Sequence, residues 1–270
     1  MGYKIFTLCL RQLWNNLRVA FQLSWFWILA YFAIIVGFVL LGGATPQNSA
    51  GASPPSILMV PFVIIMIVVS IVSFTTIAIG WHRLVLREEM PNSFYVLRRE
   101  WQIGRYFWNT IKIGFAILIM MIPAFFIVLY PLLTTIDLSI FDAPAPGFSK
   151  AFLIQIALQL LFGVIATWLF LRIGTVLPAL AIEKRMPLRE SFRLTSPISS
   201  QLVITAFCIV LLQLVPALVP VVLYPITGPE SLVLIGITLV VSIIFGFISF
   251  FVGFGILTVV YGHLAEGKPI

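Results

Sequence analysis

Six stretches of this 270-residue chain are apolar, nearly free of charge and about as long as a bilayer is thick. They cover residues 19–42, 57–79, 113–133, 151–171, 202–224 and 232–261. About 20 apolar residues of helix cross the hydrocarbon core. A segment that crosses it must satisfy its backbone hydrogen bonds internally. The expected fold is therefore all-α, a polytopic membrane protein with about six transmembrane helices. Pro61, Pro123, Pro216 and Pro220 fall inside the runs. In lipid, neighbouring helices can satisfy the carbonyls that proline frees, so kinks are expected rather than breaks.

Composition agrees. The chain is 61% hydrophobic and 9% charged, with a mean hydropathy of +1.13, whereas a soluble domain carries about 25% charged residues. The net charge of +7 would point to nucleic acid in a soluble protein. Here the cations lie in short segments beside apolar runs, so anionic phospholipid headgroups are the expected partner and nucleic acid is not.

Lys and Arg placement gives the threading. Lys4, Arg11 and Arg18 precede the first run. Arg83, Arg87, Arg98, Arg99, Arg105 and Lys112 lie between the second and third. Arg172, Lys184, Arg185, Arg189 and Arg193 lie between the fourth and fifth, and Lys268 is in the tail. Lys150 alone falls on the other side. Both termini are expected on the cytoplasmic face. The opposite loops are short, with Asp137, Asp142 and Glu230 as their charges apart from Lys150.

Three units follow: residues 1–18, 19–264 as the six-helix domain, and 265–270 as a short cytoplasmic tail. In the first, Ile5, Leu8, Cys9, Leu13 and Leu17 recur at helical spacing, which predicts an amphipathic helix lying on the membrane surface. A plain cytoplasmic extension of the first helix is the alternative. Cys9 and Cys208 share no CxxC pair and predict neither a disulfide nor a metal site. No cleaved signal peptide is expected, and Phe6 stands where a myristoylation signal needs Ser or Thr.

Two basic connections resemble each other. One reads Arg87-Glu88-Glu89-Met90-Pro91-Asn92-Ser93-Phe94, the other Glu183-Lys184-Arg185-Met186-Pro187-Leu188-Arg189-Glu190-Ser191-Phe192. Each joins a charged cluster to Met-Pro and leads into a short amphipathic helix, where proline suits the first turn. The tail Glu266-Gly267-Lys268-Pro269 is the same signal cut short. The implied plan is three helical pairs, each ending in a cytoplasmic elbow.

The stretch from Arg172 through Gly174, Thr175 and Pro178 to Glu183, followed by Leu188-Arg189-Glu190-Ser191-Phe192-Arg193-Leu194-Thr195, resembles a bacterial membrane-protein group. That group is the multi-helix domain attached to some glycerophosphoryl diester phosphodiesterases, with its stand-alone relatives. The resemblance implies a helical bundle in the bacterial cytoplasmic (inner) membrane and says little about activity. The phosphodiesterase catalytic domain is absent, since Leu84 follows His82-Arg83 and the glycine and carboxylates of metal-dependent chemistry are missing.

No residue set predicts catalysis, a metal or a cofactor. His82 and His263 stand at helix ends and could meet Glu88 or Glu266, but a metal site needs three or four ligands. They read as polar interface residues capping helix ends. Ion-coupled transport places an ionisable residue inside the bilayer, and the six cores hold no Asp or Glu. Lys112 and Arg172 lie close enough to the interface to snorkel. Gln155, Gln159 and Gln213 form an intramembrane polar set that either bonds across helices or lines a path. Ser242, Gly246, Ser249 and Gly253 make one small-residue face suited to close helix contact, within the chain or with another. Arg87, Arg98, Arg99, Arg105, Lys184, Arg185, Arg189 and Arg193 are the candidate lipid-headgroup contacts. The expected function is non-enzymatic: an accessory or scaffolding partner of a membrane assembly, or a lipid-organising protein. The alternatives are a passive or lipid-type transporter and, further off, a lipid-modifying enzyme using His82 and His263.

Overall fold

A computed structural model describes residues 2–42, 59–90, 100–135, 150–227 and 231–269. The helices are α1 (Gly2–Asn15), α2 (Leu17–Gly42), α3 (Met59–Arg87), α4 (Glu100–Thr135), α5 (Lys150–Ile173), α6 (Val176–Ala181), α7 (Leu188–Leu194), α8 (Ser199–Thr227) and α9 (Leu232–Glu266), with a 3-10 turn at Ser196–Ile198 before α8. No strand occurs among the described residues. Six helical segments are long and apolar enough to cross a membrane: Leu17–Gly37, Val60–Arg87, Gln102–Val128, Phe152–Ala181, Ser196–Leu223 and Leu232–Glu266. The chain is a multi-pass helical membrane protein. Helices α4 and α8 continue through Pro123, Pro216 and Pro220, as expected of proline in lipid.

The fourth run was expected to end at Leu171, and its helix does end close by, but the chain then continues as a further helical turn. The fourth span stops at Ile173 and resumes at Val176, and Gly174 fixes the place. A Cβ there would lie 2.5 Å from the Phe170 carbonyl oxygen and 2.9 Å from Leu257 Cδ2, so only glycine lets α5 approach α9 this closely. This break, and not a proline, sets up the functional region described below.

The core lies at one end of the bundle. Buried side chains cluster at Ala20, Leu23 and Trp27 of α2, at 73–82 of α3, at Tyr106 and Ile113 of α4, at 169–173 of α5, at 202–214 of α8 and at 251–262 of α9. Toward the other end, 60–68, 115–127 and 232–244 present mostly exposed apolar side chains, Leu234 being an exception. That distribution suits helices that meet lipid along most of their length and bury most of their mutual contacts at one end, with local approaches elsewhere such as Gly37 against Phe62. Helix α1 belongs to the core. Its Ile5, Cys9 and Leu13 are buried against α8 and α9. The amphipathic stripe is real, but its apolar face is covered chiefly by protein; only Leu8 and Leu17 of the stripe are exposed. Burial pushes the Cys9 thiol well above its ordinary value.

The three elbows share one backbone device. The residues with positive φ among those described are Glu88 (φ 55), Glu183 (φ 67) and Gly267 (φ 68), one at the end of each of α3, α6 and α9. A left-handed residue just past a helix lets the following N–H groups close on its last free carbonyls. The Glu88 N–H donates to the Leu84 carbonyl at 3.0 Å, Lys184 N–H to Ala179 at 2.9 Å, and Lys268 N–H to Gly262 at 3.0 Å. Pro91–Phe94 of the first elbow lie outside the described residues. Glutamate is strained in this conformation and glycine is not. Glu88 is exposed, so Glu88→Gly is expected to raise stability by roughly 0.5–1 kcal/mol. An unfolding temperature at or below that of the parent in detergent would contradict the strain at this position.

Candidate functional site

The break at Gly174 leaves carbonyls of α5 without regular helical partners, and side chains of α7 meet them. Ser191 Oγ lies 2.9 Å from the carbonyl oxygens of Arg172 and Ile173 and 2.6 Å from Thr175 Oγ1. Thr195 Oγ1 lies 3.1 Å from the Arg172 carbonyl. All three hydroxyl residues are wholly buried. Their i, i+4 spacing on α7 puts Ser191 and Thr195 on one helix face. The Arg172 side chain crosses the same junction. Its Nη2–H donates to the Phe192 carbonyl at 2.8 Å, and its guanidinium carbon sits 3.6 Å from the Phe192 ring centroid and 5.5 Å from that of Trp168. Such stacking on an aromatic face favours a cation. Arg172 is therefore not a snorkelling residue as its distance from the interface suggested. It is 7% exposed and clamps α7 onto α5.

Beside this clamp lies a groove of about 630 Å³ whose walls include Arg172, Phe192, Arg189, Arg193 and Glu190. Arg189 and Arg193, again i, i+4, are exposed. Among the described residues none of the three guanidinium groups engages in an ion pair. With three cations against one carboxylate, the groove is suited to an anion. Guanidinium forks match a phosphate in particular, because they can donate two parallel hydrogen bonds to its oxygens.

The other basic residues are placed differently. Lys184 Nζ donates to Glu266 Oε1 at 3.0 Å. Lys268 Nζ donates to the Leu86 carbonyl at 2.7 Å and lies 3.7 Å from Glu266 Oε2. Arg83, which charge placement alone did not single out, donates to both oxygens of Glu89 at 2.8 and 3.0 Å and to the Ala181 carbonyl at 2.9 Å. It also stands 3.6 Å from Glu183. The second elbow thus holds the first, the tail holds the second, and the tail returns to the first. Leu86, Ala179, Ile182 and Tyr261 fill the middle of this ring. The hydrogen bond that Lys184 donates to Glu266 raises the Lys184 pKa above its ordinary value. That contribution is complete below the ordinary lysine value of 10.5 and is lost only as pH climbs through the higher folded-state value, so the lysine end of the latch is constant at physiological pH. Arg87 and Arg185 are exposed, and Arg105 is half-buried on α4. Arg98 and Arg99 lie outside the described residues.

The histidines do not act together. His82 is 0% exposed and does not cap a helix end at the interface. Its Nδ1 lies 2.6 Å from Thr258 Oγ1 and its Nε2 3.0 Å from Tyr106 Oη. The Thr258 hydroxyl donates to the Phe254 carbonyl at 2.6 Å. This assigns the ring proton to Nδ1, which donates to Thr258, while the Tyr106 hydroxyl donates to Nε2. The neutral ring is satisfied on both sides and joins α3, α4 and α9. His263 bonds separately, its Nδ1 2.8 Å from the Lys268 carbonyl oxygen.

The polar set and the small-residue face are also redistributed. Gln213 lines a cavity of about 390 Å³ that neither Gln155 nor Gln159 lines. Ser249 and Gly253 line that same cavity, while Gly246 lines a second one. A Cβ built on Gly246 or Gly253 would meet nothing within 4 Å, so these positions border space and not a tightly docked helix. Close helix approaches occur instead at Gly174 against Leu257 and at Gly163 against Val210. Among the described residues no group of three or more His, Cys, Asp or Glu side chains could hold a metal ion.

No family model, curated protein or solved structure matches this chain. Fold and site define it as a polytopic helical membrane protein with a basic, arginine-lined groove at its elbow end.

Proposed function

We propose that the chain is a non-catalytic protein of a bacterial inner membrane that organises anionic lipid, with both termini and all three elbows on the cytoplasmic side. The observation that carries this reading is the groove lined by Arg172, Arg189 and Arg193 against the single carboxylate of Glu190, none of the three forming an ion pair among the described residues. It lies at the elbow end of α5, in a bundle of six spans whose other ends present mostly apolar side chains. A headgroup phosphate in the groove would place its acyl chains along that surface. The same apolar surface is available to a membrane-protein partner, which gives the accessory role.

Passive transport is less well supported. A path through the bundle would have to pass the elbow end, where Trp81, Tyr106 and Phe251 are each no more than 1% exposed and the elbows are bonded into a ring.

Native mass spectrometry of protein extracted in mild detergent tests the proposal. Phosphatidylglycerol is expected to remain bound and phosphatidylcholine to be lost. Arg189→Gln combined with Arg193→Gln should weaken phosphatidylglycerol retention about thirtyfold, since each basic residue near the surface contributes about 1 kcal/mol. Neither residue belongs to the buried clamp, so folding is preserved. A lipid-free species, or retention unchanged in the double variant, would remove the reading.

A further inference from the structure

We propose that the cavity walled by Phe74, Phe250 and Phe254 binds an uncharged amphiphile, an apolar chain carrying one neutral hydrogen-bonding group. The cavity lies where α3, α4, α5, α8 and α9 meet, and its volume of about 390 Å³ falls in the range of small-molecule sites, about 300–1,000 Å³. The three phenylalanine rings form a mutual cluster, with centroids 4.6, 5.3 and 5.7 Å apart.

The polar groups beside them lack what polar groups in a membrane normally have. Ser249 Oγ is shielded from solvent and has no hydrogen-bond partner among the described residues. The Gln213 side chain is exposed on α8 and forms no hydrogen bond among the described residues. Intramembrane Ser and Gln ordinarily bond to a neighbouring helix, and with no water in the hydrocarbon an unmade bond is costly. Both groups line the cavity, so a ligand can supply the missing bonds. A small-residue face would be unremarkable if another helix covered it, but Gly253 borders open space.

The ligand's polar group is neutral because no charged side chain among the described residues lines the cavity. An unpaired carboxylate or phosphate at this depth would be strongly disfavoured. A plain hydrocarbon would fill the volume and leave Ser249 and Gln213 unpaired. A hydroxyl or carbonyl on a long apolar chain meets both conditions. The site does not depend on the arginine groove, which recognises charge.

Photolabelling of the detergent-purified full chain with a diazirine-bearing analogue of hexadecanol tests the proposal. Label is expected in the peptides carrying 209–213 and 249–254. Unlabelled hexadecanol should compete about tenfold better than hexadecane or palmitate, the difference that one or two hydrogen bonds supply. Gly253→Leu, which fills the space, should abolish the label. Gly236→Leu, at an equally open glycine of α9 that does not line this cavity, should not. Gln213→Leu combined with Ser249→Ala should reduce labelling about tenfold, and it decides the question alone if Gly253→Leu does not fold. Equal competition by hexadecane, or undiminished label in the Gln213/Ser249 variant, would overturn the proposal.

Discussion

Trp81→Ala is expected to lower the stability of the folded chain by about 3–5 kcal/mol, the usual cost of emptying a fully buried tryptophan site. The indole is 0% exposed, lies 4.9 Å from the Phe251 ring in an edge-on arrangement and sits close beside Gly255. It is therefore enclosed by α9 and by α1, whose Cys9 also approaches Gly255. Its N–H is buried without a partner among the described residues, which makes the companion substitution informative. Trp81→Phe retains most of the packing and removes an unsatisfied donor, so it is expected to cost only about 1 kcal/mol or less. Thermal unfolding in one detergent separates the two. If alanine and phenylalanine behave alike, Trp81 does not hold the elbow-end core together.

The second large effect is expected at His82. His82→Ala leaves the Tyr106 hydroxyl without its acceptor and opens a cavity between α3, α4 and α9, costing about 2–4 kcal/mol. Tyr106→Phe leaves Nε2 unpaired and costs about 1–3 kcal/mol. Because the two residues share one bond, the double variant should fall short of the sum by about 1–2 kcal/mol. Additive losses would show that the histidine fills space without joining the helices. Retention of lipid binding in His82→Ala would also separate this residue from the phosphate groove, which it does not line.

These residues also show what a linear reading can and cannot supply. All six spans were legible, because uncharged length is a property of the chain itself and needs no knowledge of neighbours. The elbow repeat was legible as Met-Pro and charge, and the left-handed residues at Glu88, Glu183 and Gly267 give it a backbone basis. Arg189 and Arg193 were legible as part of a basic surface. Arg172 was not legible as their companion. A cation near an apolar boundary can turn to headgroups or fold back on protein, and only the position of Phe192 and Thr195 decides between them. His82 was misread for a related reason. A polar residue at the end of an apolar run has the same sequence signature whether its face meets water or Tyr106 and Thr258. The face formed by Ser242, Gly246, Ser249 and Gly253 signalled small volume correctly, but small side chains border a void as readily as a docked helix. A glycine preceding Thr175-Val176 carried a clue to the break, although glycine is common enough in spanning helices that the clue was not decisive.

The concentration of buried contacts at one end has a mechanical consequence. Rods packed most densely at one end are stiffer there than toward the tips, where contacts such as Gly37 against Phe62 are local, so the two leaflets act on the molecule unequally. Thickening or thinning a bilayer changes helix tilt at a cost of only fractions of a kcal/mol per Å. The densely packed leaflet would have to strain Trp81, His82 and the elbow ring to change the bundle, whereas the opposite leaflet adjusts the spread of the tips against fewer buried contacts.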